Sequence, residues 1–219
     1  MCGITGYINL KGKPVRSSHI IRKMLLVQKH RGPDDSGIRA FSLKSRSSFE
    51  LTVDEPVQID RDYEAVLGFN RLSILDLSMN GHQPMASPDS KVLLTLNGEI
   101  YNAFDYKKEL TDWGYRFKST TDTEVVLALY LKYGFRGMID RLNGMFAIVI
   151  ADLNAGKLYI ARDRFGIKPM YYISTPEMLA FSSELKSFNY LDNFHFQLEE
   201  KQLNEYLIFP LLYESVSAS

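Results

Sequence analysis

Apolar and polar positions along the chain change period several times, and each change marks an element. Residues 4–10 read as a short strand. Ile20, Ile21, Met24, Leu25 and Gln28 keep a three-to-four spacing, which predicts an amphipathic helix over 18–30, capped by Ser17 or Ser18. Arg31-Gly32-Pro33-Asp34-Asp35 breaks it. Residues 42–64 are polar and charged with weak alternation and read as a hairpin or a mobile excursion. Ala65–Phe69 and Val92–Leu96 read as strands. Tyr106, Leu110 and Trp113 form a helical stripe that stops at Gly114, and residues 115–118 read as a short strand. Thr121-Asp122-Thr123-Glu124 has the capping-box pattern and opens a helix through Val125, Val126, Leu129, Tyr130 and Tyr133, ending at Gly134. Met145–Ala151 is a continuous apolar run of strand length, the pattern of a strand covered on both faces. Strands are expected again over 157–161, 170–174 and 179–181. Strands and helices come in blocks rather than strict alternation, which predicts an α+β layered domain of antiparallel sheets with helices outside.

Composition narrows the class. Of 219 residues, 45% are hydrophobic and 24% charged, as in an ordinary soluble globular protein. Lys plus Arg and Asp plus Glu are equal at 26 each, with no basic stripe, so nucleic acid is not favoured as a partner. No apolar run has the length of a membrane span, and no signal peptide is visible. The single cysteine excludes an internal disulfide, and no Cys or His cluster suggests a metal site. These features fit a reducing cytoplasm.

That single cysteine is Cys2, one cleavage from the N-terminus. With Met1 removed, one residue would carry a nucleophilic thiol and an α-amine that titrates at about 7.7–8.0. A small apolar residue buried in the first strand is the alternative. Arg71 interrupts a core strand and needs a carboxylate, either in an internal salt bridge or on a ligand. Asn97-Gly98 reads first as a hairpin turn, and alternatively as an amide beside an exposed N–H, the makings of an oxyanion hole. Asp122 suits the start of a helix electrostatically. Arg162-Asp163-Arg164-Phe165-Gly166-Ile167-Lys168-Pro169 reads as a tight, shaped loop. His19, His30, His82 and His195 are too scattered to identify a dyad.

The order of these segments is more specific than any one of them. Met1-Cys2-Gly3-Ile4-Thr5-Gly6, His30-Arg31-Gly32-Pro33-Asp34, Arg71-Leu72-Ser73-Ile74-Leu75-Asp76, Gln83-Pro84, Asn97-Gly98-Glu99-Ile100-Tyr101-Asn102, Asp122 with Glu124, Leu142-Asn143-Gly144-Met145-Phe146-Ala147 and the 162–169 loop all occur in series. The series resembles the glutaminase domain of asparagine synthetase, a class II glutamine amidotransferase of the N-terminal-nucleophile hydrolase superfamily. The resemblance covers residues 2–190 and implies a four-layer αββα sandwich of two mainly antiparallel sheets.

The resemblance also implies roles. Cys2 attacks the side-chain amide of glutamine, and its own α-amine moves the protons. Asn97 and the Gly98 N–H hold the oxyanion. Arg71 grips the substrate α-carboxylate and Asp122 its α-ammonium. Glu99 and the backbone around Leu72, Ile74 and Leu75 complete the pocket. Glutamate and ammonia result, through a Cys2 thioester. No cofactor or metal is implied for this domain. ATP and magnesium belong to a synthetase domain, with aspartate as the default acceptor, and a homodimer is left open.

The match departs in two places. Family members commonly carry His and a second charged residue before the strand arginine, where this chain has Phe69 and Asn70. No Ser-Gly-Gly-x-Asp-Ser loop of an ATP-dependent domain is present, so residues 191–219 read as a linker and the start of a missing synthetase domain. Two other readings stay open: a Cys–His amide hydrolase using His30 or His82, and a truncated, non-catalytic glutamine-binding or regulatory module.

Overall fold

The computed structural model describes residues 1–192, 194–197, 199–200 and 203–204. The expected linker and domain start over 191–219 lie largely outside them.

Two antiparallel sheets lie face to face. The larger has six strands, in the order β3 (Ser47–Leu51), β2 (Asp35–Ser42), β4 (Ala65–Arg71), β1 (Gly3–Asn9), β10 (Met178–Ser182) and β9 (Tyr171–Ser174). The smaller has four: β5 (Met85–Ala86), β6 (Val92–Ile100), β7 (Gly144–Asp152) and β8 (Lys157–Arg162). Between the sheets, Ile4, Leu67, Phe69 and Phe181 meet Leu93, Ala147, Val149 and Ala151. On the outer face of the large sheet, α1 (His19–Leu26) packs Ile21, Met24 and Leu25 against Ile38, Ala40 and Val66. On the outer face of the small sheet, α3 (Asp122–Ile139) covers Leu94, Leu96, Ile148 and Ile150. The result is the expected four-layer αββα sandwich. The apolar run at 145–151 is the reason two layers meet at β7: its odd positions face the other sheet and its even ones face α3.

Several local expectations change. The first helix ends at Leu26 and is followed by a separate 3-10 turn over Lys29–Arg31, rather than running through residue 30. Ser17, not Ser18, accepts the His19 N–H, while the Ser18 hydroxyl takes the Val57 N–H instead. The short α2 (Lys107–Asp112) does end at Gly114 as expected, the residue after its Trp113 cap, with a φ of 104° that favours glycine. Residues 115–118 form no strand, because the Glu124 carboxylate holds their C-terminal end by accepting the Lys118 and Ser119 N–H groups. The box at 121 is therefore half built. Thr121 Oγ1 accepts the Glu124 N–H at 3.2 Å, but the Glu124 carboxylate reaches back past Thr121 to Lys118 and Ser119, and the Thr121 N–H goes to the Ser119 hydroxyl. Gly134 (φ 68°) breaks the helix as expected, yet helical residues resume beyond it to Ile139.

The strand β2 escapes the sequence pattern because its polar end, Asp35-Ser36, lies in a segment that reads as a breaker. The 42–64 excursion supplies the turn and the second strand of the β2–β3 hairpin and then wraps α1, where Val53, Val57 and Ile59 join the outer core and the Val53 carbonyl accepts Arg22 Nε at 2.7 Å.

Candidate active site

Cys2 stands at the end of β1, and β1 pairs with β4 so that Gly3 lies opposite Asn70. That register brings the chain beyond Arg71 to the thiol. The Leu72 N–H donates to Cys2 Sγ at 3.3 Å, and Arg31 Nε donates to the Cys2 carbonyl at 2.9 Å. Burial pushes the thiol pKa up. The Leu72 N–H, the terminal ammonium and Arg71 oppose that rise, and Asp122 adds to it. The net direction is upward, so the resting group is a thiol that needs a base.

Arg71 closes β4 and is only 5% exposed. The internal salt bridge considered for it is absent among the described residues. Its guanidinium makes no ion pair with any of them and instead holds the carbonyls of Ser78, at 2.9 Å, and Asp76. Asp122 is 6% exposed on the first turn of α3 and has no cation partner among the described residues. Its Oδ2 accepts the Ile100 N–H at 3.0 Å. Burial pushes its pKa up, against the pull of N–H groups at Ile100 and Thr123 and with a push from Glu99. Helix-start electrostatics alone do not place it; a bond to β6 does.

Asn97-Gly98 is not a turn. Both residues lie inside β6, opposite Ala147 and Phe146 of β7. The reason glycine is needed is close approach: a Cβ at Gly98 would overlap the Met145 carbonyl and come within 2.7 Å of Phe146 Cα. The register then does chemical work. Phe146 spends its N–H on Asp163 Oδ2 (3.2 Å) and its carbonyl on the Asp163 N–H (2.8 Å), so Gly98 must point its own N–H away from β7. On that side β5 ends early. The Leu96 N–H is taken by Gln83 Oε1 at 2.7 Å and the Ile100 N–H by Asp122, and between them the Gly98 N–H has no partner among the described residues. Next to it, Asn97 Nδ2 is a buried donor with no partner among the described residues. Two unspent donors side by side form an anion-ready corner.

Cys2, Arg71, Leu72, Ile74, Leu75, Asn97, Gly98, Glu99 and Asp122 all line one cavity of about 150 Å³. All the sequence-derived site residues are thus brought together, from both sheets and from α3. Met1 sits on the same wall. Gln83, Thr123 and Lys168 also line it without having been singled out for the pocket. Gln83 was visible only as part of Gln83-Pro84. Its amide bridges Leu96 and Thr123 Oγ1 (3.2 Å) across the cavity floor.

Neither His30 nor His82 lines this cavity. His30 pairs with Glu184 at 2.8 Å on the surface, and His82 is held between Asp35 (2.7 Å) and Glu50 (3.4 Å). The two positions that depart from the family pattern serve packing: Phe69 fills the inter-sheet core, and Asn70 ties β4 to the Leu25 carbonyl and the Ser36 hydroxyl.

Comparison with known proteins places this arrangement. A family model described as a glutamine amidotransferase domain matches residues 54–218. Asparagine synthetase [glutamine-hydrolyzing] 2 of Bacillus subtilis is 38% identical over 189 residues, 85% of this chain and 22% of that protein. A putative asparagine synthetase [glutamine-hydrolyzing] 2 of Methanocaldococcus jannaschii is 38% identical over 200 residues, 85% of this chain and 34% of that protein. The chain therefore spans a fifth to a third of the length of these curated relatives. A glutamine phosphoribosylpyrophosphate amidotransferase of Bacillus subtilis shares the fold, with a TM-score of 0.69 at 21% identity over 86% of this chain and 43% of that one. This chain belongs to the class II glutamine amidotransferase domain family.

Proposed function

We propose that the cavity binds glutamine and hydrolyses its side-chain amide, with Cys2 as nucleophile. One observation carries the reading: Arg71 and Asp122, opposite in charge and both buried, face one cavity from different layers, and neither has an ionic partner among the described residues. Leaving a buried charge unpaired is costly, so the site is built for a ligand that brings one charge of each sign. A free amino acid does so: its α-carboxylate meets the Arg71 fork and its α-ammonium meets Asp122. Its side chain is then directed at Cys2 and the Asn97–Gly98 corner.

The chemistry follows from the donors and the thiol. Cys2 Sγ forms a bond to the amide carbon while its proton passes to a base. The carbonyl oxygen takes the electron pair and is held by Asn97 Nδ2 and the Gly98 N–H. The base returns the proton to nitrogen, the C–N bond breaks, and ammonia leaves a thioester. Water adds to the thioester, the C–S bond breaks, and glutamate and the thiol are regenerated. The base is the Cys2 α-amine once Met1 is removed, a reading supported by the absence of His30 and His82 from the cavity lining. No cofactor or metal has a part in these steps.

Relatives named glutamine-hydrolyzing asparagine synthetases support a synthetase as the destination of the ammonia, and the rest of the wider context is proposed with it. In it, residues 2–190 form the glutaminase domain, 191–219 lead into an ATP- and magnesium-dependent synthetase domain, and aspartate receives the ammonia in the cytoplasm. Among the described residues no helix is long and apolar enough to cross a membrane. The test is glutamate release from glutamine together with intact mass. Activity that requires loss of Met1 and vanishes in Cys2→Ala supports the reading; activity retained by Cys2→Ala overturns it.

A further inference from the structure

The segment from Leu72 to Gly81 forms one wall of the cavity and is tied down at its rim in three ways. The Ser73 N–H donates to Asp34 Oδ2 at 2.7 Å. The Arg71 guanidinium holds the carbonyls of Asp76 and Ser78. The third tie is the Asp76 side chain, and both of its oxygens are used. Oδ1 accepts the Ser78 N–H at 2.8 Å and the Ser78 hydroxyl at 2.6 Å. Oδ2 accepts the Thr120 N–H at 2.9 Å, and the Thr120 hydroxyl lies 3.3 Å from both that oxygen and the Leu75 carbonyl.

The three ties differ in where they lead. Asp34 and Arg71 hold the segment to the large sheet's side. Asp76 crosses to Thr120, two residues before Asp122 and next to the Thr121 cap of α3. The rim connection thus joins the wall that holds Arg71 to the element that presents Asp122. Those are the two charges a zwitterion must satisfy at once, and they lie on separate layers whose spacing no local sequence sets.

We propose that Asp76 is a positioning residue for the amino-acid substrate: its carboxylate sets the separation of the Arg71 and Asp122 walls, so that both α-groups of one ligand are met together. The inference rests on the glutamine reading of the site. An isosteric amide cannot replace the carboxylate, because asparagine offers one acceptor oxygen where two are needed and turns an N–H₂ group toward either the Ser78 or the Thr120 N–H.

The experiment measures binding by calorimetry in a Cys2→Ala background, using glutamine and glutaramate, which lacks the amino group. The parent is expected to prefer glutamine. Adding Asp76→Asn should weaken glutamine by roughly tenfold, about 1.4 kcal/mol, while glutaramate, which needs only the Arg71 wall, changes by no more than about twofold. The preference for glutamine should therefore collapse, which general loosening of the fold would not produce. Thr120→Val removes the hydroxyl and keeps the N–H, and should shift the preference in the same direction by less. An unchanged preference in both variants, or equal weakening of the two ligands, overturns the role of Asp76. A parent that binds neither ligand overturns the glutamine reading, and the inference with it.

Discussion

Gly81 lies against the guanidinium of Arg71, so close that a Cβ there would overlap Nη2. The guanidinium cannot simply swing aside, because it is buried and bound to two carbonyls, at Asp76 and Ser78. Gly81→Ala should therefore displace the carboxylate anchor while leaving the sandwich intact. Steady-state kinetics should show KM for glutamine raised about tenfold, kcat changed far less, and a melting temperature within a few degrees of the parent. An unaltered KM would show that Arg71 does not bind the substrate carboxylate.

Asn97→Ala removes a buried donor that has no partner among the described residues. Its loss should cost no folding stability that depends on that donor, since no hydrogen bond is broken. In the transition state the same donor faces a developing oxyanion. The expected outcome is a fall in kcat of about 10²–10³, corresponding to about 2.7–4 kcal/mol, with binding of glutamine little changed. Loss of affinity at constant turnover would place the amide on the substrate rather than on the oxyanion.

Asp163 organises the loop behind the oxyanion strand. Burial alone would raise its pKa, but N–H groups of Lys168, Ile167, Phe146 and Phe165 hold it below the usual carboxylate value. The Phe146 bond also lies directly across β7 from Gly98, whose N–H the strand register turns away from the ladder. Asp163→Asn should destabilise the fold by on the order of 2 kcal/mol and lower kcat as well. Denaturant unfolding paired with turnover tests both; a stable variant with full activity would remove Asp163 from the account.

His82 and Asp35 predict a pH window for stability. The hydrogen bond that His82 Nδ1 donates to Asp35 raises the His82 pKa from its ordinary 6.5, against burial and Arg39, with Glu50 helping. Burial alone would raise Asp35, but the bond to His82, helped by the Ser36 N–H and Arg71, lowers it from 3.8. The raised histidine contributes fully below pH 6.5 and loses its contribution as pH rises through its higher folded value. The lowered aspartate contributes above pH 3.8 and loses it as pH falls through its lower folded value. The pair is thus strongest between those limits. The melting temperature of the parent should exceed that of His82→Gln most near pH 5–6 and by less near pH 9. A gap independent of pH would mean that the ion pair does not operate.

Much of this protein can be read without its structure, because the information is local or carried by motif. Seven apolar residues in a row make β7 a strand covered twice, since no solvent face is left for polar side chains. Thr121 caps a helix because its hydroxyl reaches an N–H three residues on. Cys2, placed next to Met1, already suggests a nucleophile, and the ordered motifs name the residues of one pocket.

Tertiary structure decided what those residues can do. Asn97-Gly98 reads locally as a turn, yet it became two unspent donors because β7 fixed the register and β5 ended before Leu96. Arg71 reads as half of a salt bridge, but only the packed layers show that it has no carboxylate partner among the described residues and that a second charge without an ionic partner among them, Asp122, faces the same space. Cys2 meets Leu72 across 70 positions of sequence. Strand register, sheet edges and the absence of a counter-charge are properties of pairs distant in the chain. Side-chain periodicity reports the face a residue shows to the core, and it carries no record of which distant partner stands there.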